Sequence, residues 1–131
     1  MIAPVELLRK LQVRSGSRLW LINVPRALAV ELSTGAEVEI AHEDEPHDGV
    51  LAFFESPAEV AVLAGRILAH LPEEGLLWVA YRKGTVGRAA GLTRDMGWQP
   101  FVDAGWRPVR AVAIDEEWSG LRFRPAALVG H

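Results

Sequence analysis

R-P-V-R-A-V-A-I-D-E-E-W-S-G-L-R-F-R-P, residues 107–125, holds two β-prone runs separated only by Asp115, Glu116 and Glu117. A parallel crossover needs about a dozen residues or more, so a connection this short permits only antiparallel pairing. The chain therefore ends in a hairpin. Within its second run Ser119 and Gly120 form the pair expected to make a bulge. Of the three turn carboxylates, only Asp115, which closes an apolar run, is expected to be held in a defined position, while Glu116 and Glu117 face water.

Upstream of the hairpin the periodicity alternates between strand and helix. L-L-W-V-A-Y at 76–81 reads as a buried strand. It runs into R-K-G-T-V-G-R-A-A-G at 82–91, a loop with three glycines. After that loop, L-T-R-D-M-G-W-Q-P-F-V-D-A-G suggests a helix over 93–104, kinked or divided by Pro100, which lacks an interior donor, and ended by Gly105. Further back, G-V-L-A-F-F at 49–54 is another buried strand, and S-P-A-E at 56–59 is a helix start. There Ser56 accepts from the N3 amide, Glu59 reaches back to the amide of Ser56, and Pro57 sits where no donor is missed. Apolar residues at 60, 63, 64, 67, 68 and 71 continue that helix.

R-L-W-L-I-N-V at 18–24 is nearly continuously apolar, as a strand covered on both faces would be. Pro25 opens a helix that Thr34 and Gly35 close. A-E-V-E-I-A at 36–41 alternates with period two and suits a sheet edge. A short amphipathic helix over 3–12 places Leu7, Leu8 and Leu11 on one face, and R-S-G-S at 14–17 is a turn. The order predicts an α/β three-layer sandwich: one domain over 1–131, with a mainly parallel Rossmann-like sheet of about six strands ending in an antiparallel hairpin.

The 131 residues suffice for one core, and no cysteine is present. That excludes disulfides, thiolate metal sites and a cysteine nucleophile. The N-terminal M-I-A-P-V-E-L-L-R-K lacks the basic segment and apolar run of a secretory signal, and no apolar run approaches the roughly 18 residues of a membrane span. A soluble cytoplasmic protein is expected. Net charge is −3, a poor starting point for nucleic-acid binding. The charge is uneven, however, about −6 over residues 1–75 and +3 over 76–131. This imbalance suits a small anionic partner on the C-terminal half.

No established motif claims that partner. The glycines at 84, 87 and 91 are spaced G-x-x-G-x-x-x-G, and Lys83 precedes them, so the P-loop pattern is absent. The dinucleotide pattern is absent both there and after the first strand, where N-V-P-R-A-L has no glycine. What survives is a cluster of Arg82, Lys83, Arg88 and Arg94 around a loop, able to hold an anion. His42 and His47 share a loop with Glu43, Asp44, Glu45 and Asp48 at no recognised ligand spacing, His70 lies near a helix end, and His131 is the last residue. No metal site is expected, and the 42–48 loop reads as solvated. No serine sits in a nucleophile elbow.

The segments L-W-V-A-Y-R-K, L-T-R-D and A-I-D-E-E-W-S-G-L-R-F, with the early Asn23-Val24-Pro25 turn, resemble a family of small bacterial proteins of unknown function. Its members share a strand ending in a basic step and a final I-D-x-x-W-S-G-L-[KR] segment. Here Arg82-Lys83 replaces the usual Pro-Lys, and Ala90-Gly91 replaces a polar-acidic pair. The family implies positions without an activity. The element order also resembles a trimmed S-adenosylmethionine methyltransferase fold. That resemblance implies a glycine-rich turn after the first strand and an acid ending the second. Val24-Pro25 stands where the first is required, so methyl transfer is not the leading reading and no cofactor is expected.

In open parallel sheets ligands bind beyond the carboxyl ends of the strands. The candidate ligand-binding residues gathered there are Asn23, Arg82, Lys83, Arg94, Asp95, Asp115 and Ser119, with Glu55 nearby. Three readings stay open. In the first, the domain is a non-enzymatic binding or interaction module, associating through this edge or an apolar face, self-association included. In the second, it is an enzyme or sensor for a small phosphorylated or nucleotide-like ligand. In the third, Arg82, Lys83, Asp95 and Asp115 pair with one another and only brace the fold.

Overall fold

Apolar runs bounded by turn residues form the centre of one six-stranded sheet. The computed structural model describes residues 4–14, 16–35, 38–72 and 75–128. Ser15 of the expected 14–17 turn, Ala36 and Glu37 of the expected edge strand, the Leu8 side chain and His131 lie outside the described residues. Strands β1 (Arg18–Ile22), β3 (Gly49–Phe53) and β4 (Leu76–Arg82) run parallel at the centre, with β2 (Glu39–Ala41) parallel at the edge beside β1. The terminal hairpin of β5 (Trp106–Ala113) and β6 (Trp118–Pro125) completes the order β2-β1-β3-β4-β6-β5. Its second strand, β6, pairs antiparallel with both β4 and β5.

Among the described residues five α-helices flank the sheet: α1 (Pro4–Lys10), α2 (Arg26–Gly35), α3 (Pro57–His70), α4 (Gly84–Ala90) and α5 (Gln99–Asp103). Because successive strand residues point to opposite faces, the central strands feed two cores. Val50, Ala52, Leu77 and Val79 pack with Val60, Ala64 and Ile67 of α3 and Phe101 of α5. Leu51, Phe53, Trp78 and Ala80 pack with Leu7, Leu11 and Leu32 on the α1 and α2 side. The buried Trp78 ring donates from Nε1 to the Leu11 carbonyl at 2.8 Å, tying the exit of α1 to the middle of the sheet. On the other face Phe54, Trp98, Phe101 and Phe123 form an aromatic group with ring centroids 5.4 to 6.4 Å apart, mostly at the edge-to-face angles such rings prefer. Among the described residues no helix is long and apolar enough to cross a membrane.

Local expectations change in five places. The glycine-rich stretch expected as a loop is helix α4. It is closed by Gly91 at φ 90°, whose amide reaches the Arg88 and Gly87 carbonyls. The helix expected over 93–104 shrinks to α5, with Pro100 in its first turn. Ahead of α5, Thr93 and Met96 exchange backbone hydrogen bonds at 3.1 and 3.4 Å, Gly97 turns at φ 99°, and the Trp98 ring nitrogen donates to the Thr93 carbonyl at 2.7 Å. Ser56 does cap α3, but the Glu59 carboxylate accepts from the amide of Glu55, one residue before the expected Ser56.

Ser119 and Gly120 pair regularly with Ala113 and Val112, and the ladder irregularity falls between Pro108 and Arg110. Gly120 instead makes room for Ile114, whose Cδ1 would lie 3.2 Å from an added Cβ. Finally, the 42–48 loop is not wholly solvated. His47 is buried, bonded through Nδ1 to the Glu45 carbonyl at 2.9 Å, with its ring centroid 5.6 Å from that of Trp20. Among the described residues no cluster of three His, Cys, Asp or Glu side chains could hold a metal.

Candidate functional site

The parallel strands β1, β3 and β4 end on one edge, and the antiparallel β6 starts there, so the 115–117 turn meets the exit of β4. The Lys83 amide donates to the Glu117 carbonyl at 2.9 Å, and Arg82 pairs with Trp118 in the ladder. Asp115 holds this turn in shape by accepting the amides of Glu117 and Trp118 at 2.8 and 2.9 Å, the local bonding that favours aspartate in turns.

Arg82 is the hinge of the site. Its Nη2 donates to Glu55 at 2.9 Å and its Nη1 to Glu117 at 2.8 Å. Its guanidinium carbon lies 4.2 Å from the centroid of the Trp118 ring. The hydrogen bond that Arg82 donates to Glu55 leads the causes that raise the Arg82 pKa above its ordinary value, with Glu117 adding. Among the described residues no ion pair joins Arg82 to Asp115 or Asp95, or Lys83 to either. The expected pairing of Arg82 and Lys83 with Asp95 and Asp115 is thus not found among the described residues; Arg82 pairs instead with Glu55 and Glu117.

On one side of Arg82 a cavity of about 470 Å³ collects Asn23, Glu55, Asp115 and Glu117. It is acidic, and Arg82 already neutralises two of its carboxylates. On the other side a cavity of about 530 Å³ is walled by Tyr81 and Arg82 from β4, Lys83 from the step into α4, Arg88 from α4, Thr93 and Arg94 from the following turn, and Ser119 from β6. No carboxylate among the described residues lines it. Among the described residues Lys83, Arg88 and Arg94 have no ion-pair partner, so three of the four cations are not held directly by a carboxylate. Burial, the largest influence, pushes the Tyr81 phenol above its ordinary value of 10.0, with the neighbouring Ser119 hydroxyl and Arg94 acting in the opposite direction. At neutral pH that phenol is a neutral hydrogen-bonding group.

Of the seven candidate residues, Arg82, Lys83, Arg94 and Ser119 thus share the basic cavity, Asn23 and Asp115 lie across Arg82 in the acidic one, and Asp95 lines neither. The amide of Asp95 donates to the Thr93 hydroxyl at 3.3 Å. Glu117 is exposed, as expected, yet its carboxylate accepts from Arg82, a role not foreseen from the sequence. The register pairing Arg82 with Trp118 is what brings it to Arg82.

No family model and no curated protein matches the chain. Solved structures do. N-methyltransferase NodS from Bradyrhizobium japonicum WM9 superposes with a TM-score of 0.58 at 15% identity over 93% of both chains. A precorrin-6y C5,15-methyltransferase from Geobacter metallireducens GS-15 gives 0.61 at 12% identity, over 93% of this chain and 87% of that one. Fibrillarin from Aeropyrum pernix, solved with natively bound S-adenosyl-L-methionine, gives 0.53 at 13% over 84% and 67%. At such identities the likeness is one of fold.

The residues at the equivalent strand ends do not fit that cofactor. Asn23 occupies φ 54° after β1, and Val24 packs its side chain onto the α1 and α2 side core where a cofactor would need open backbone. After β2 comes His42, and the next residue, Glu43, is bonded to Arg66 of α3. The chain has the mixed, mostly parallel Rossmann-like fold that these methyltransferases share.

Proposed function

We propose that this domain is a binding module for a small anionic ligand, of the phosphorylated class, held in the basic cavity at the end of β4. One observation carries the reading: Lys83, Arg88 and Arg94 converge on a single cavity that no carboxylate among the described residues lines. Placing like charges together is unfavourable unless an anion compensates them, and Arg and Lys are the side chains that bind phosphate oxygens through charge-assisted hydrogen bonds. The hydroxyls of Tyr81, Thr93 and Ser119 supply neutral polar groups of the kind that orient a ligand. Arg82, already paired to Glu55 and Glu117, forms the rigid wall between this cavity and the acidic one.

A thermal-shift panel of inorganic phosphate, pyrophosphate, sugar phosphates, nucleotides and S-adenosylmethionine tests the reading. Phosphorylated compounds should raise Tm in the wild type and leave Lys83→Ala unchanged, with no response to S-adenosylmethionine. A folded protein that responds to no anion refutes the reading.

A further inference from the structure

A second concentration of positive charge lies away from this cavity, on the face of the hairpin turned toward α1. Arg122 and Arg124 alternate along β6 on the face that carries Trp118, and Arg110 of β5 stands directly opposite Arg122 in the ladder. On that face Arg122 is also the register partner of the buried Trp78. The described contacts of these three with other side chains amount to one: Arg122 Nη1 donates to Gln12 Oε1, just past α1. Arg122 Nε is shielded from solvent and has no partner. Among the described residues no carboxylate lies within ion-pairing distance of any of them. Burial first, then the charges of Arg124 and Arg110, push the Arg122 pKa below its ordinary value.

Edge protection does not account for this arrangement. Charged residues, proline and bulges commonly guard a free sheet edge, and Pro108, Arg110 and the adjacent irregularity do so on β5. Arg122 and Arg124, however, belong to β6, which is paired on both sides. An interior strand has no edge to guard, and like charges placed opposite one another in a ladder are destabilising. A solvated face needs only neutral polar side chains there.

We infer that the Arg110, Arg122 and Arg124 face docks an extended acidic protein segment. Alternate residues of a strand are spaced about 7 Å apart, so Arg122 and Arg124 match carboxylates at every second position of an extended chain. Nucleic acid fits less well. The exposed large hydrophobic side chains of the described residues include no aromatic on which a base would stack.

The test is fluorescence anisotropy with a labelled alternating Glu-Ser peptide and a labelled oligouridine, run beside a thermal melt. In the double variant Arg110→Gln/Arg124→Gln the peptide affinity should fall at least about tenfold, while Tm holds or rises because like-charge repulsion is relieved. Lys83→Ala, in the other basic cavity, should bind the peptide as the wild type does. No peptide binding by the wild type, an unchanged affinity in the double variant, an equal loss in Lys83→Ala, a fall in Tm of the double variant, or tighter binding of oligouridine than of peptide would each overturn the inference.

Discussion

Arg82 and Trp118 face each other across the β4–β6 ladder, the guanidinium carbon 4.2 Å from the ring centroid. The guanidinium lies over the ring and bonds to both Glu55 and Glu117, so one side chain separates an acidic cavity from a basic one. The arrangement depends on arginine, whose planar fork reaches two carboxylates while stacking, as a lysine cannot. Arg82→Ala should cost about 1–2 kcal/mol, from an exposed cation–π contact and two partly exposed ion pairs. Arg82→Lys should recover only part of that. Urea denaturation at low and high salt measures both, and the difference between variants should narrow as salt screens the ion pairs.

Gly87 is the backbone counterpart of that wall. A Cβ there would lie 2.1 Å from the Arg82 carbonyl oxygen and 2.8 Å from that of Leu92. Neither backbone atom can move without shifting β4 or the turn after α4. Gly87→Ala should destabilise by about 3 kcal/mol, against its usual benefit in a helix, and it should weaken ligand binding in the protein that remains folded. Chemical denaturation gives the first effect and titration with pyrophosphate the second.

The buried hydrogen bond from Trp78 to the Leu11 carbonyl predicts a cost for a substitution that keeps an aromatic ring. Trp78→Phe removes the donor and leaves that carbonyl unpaired in the core, an effect of about 1–3 kcal/mol. Equilibrium unfolding should show the loss.

Tyr81 gives a prediction in pH. Its phenol is raised above 10.0 in the folded chain, foremost by burial, so the folded state holds that proton more tightly than the unfolded state. The contribution is complete below the unfolded pKa and is lost as pH rises through the folded value. Stability should therefore fall on the alkaline side of about pH 10, and Tyr81→Phe should flatten that fall. Melting temperatures measured across the alkaline range decide it.

The hairpin, the central strands and the start of α3 were legible because each is fixed by local chemistry: a three-residue connection, continuous apolar runs, and Ser56 with Pro57. Helix α4 was not, because three glycines argue against a helix by propensity. The need for Gly87 is a close backbone approach that propensity does not record, arising where α4 presses back on the Arg82 carbonyl at the exit of β4. The 93–96 turn was hidden for a similar reason, since the Trp98 ring that closes it acts from outside the segment. At the site, strand ends placed Arg82, Lys83, Arg94 and Ser119 on one edge. The partition into a basic and an acidic cavity depends on Glu117, which only the β4–β6 register brings to Arg82.

The anion site is tested most directly by nitrogen-15 NMR titration of the wild type with pyrophosphate. Saturable shifts should concentrate in the amides of Lys83, Gly84, Thr93 and Ser119 and vanish in Lys83→Ala/Arg94→Ala. Absence of any saturable shift, or shifts confined to Asn23 and the 115–117 turn, would contradict it.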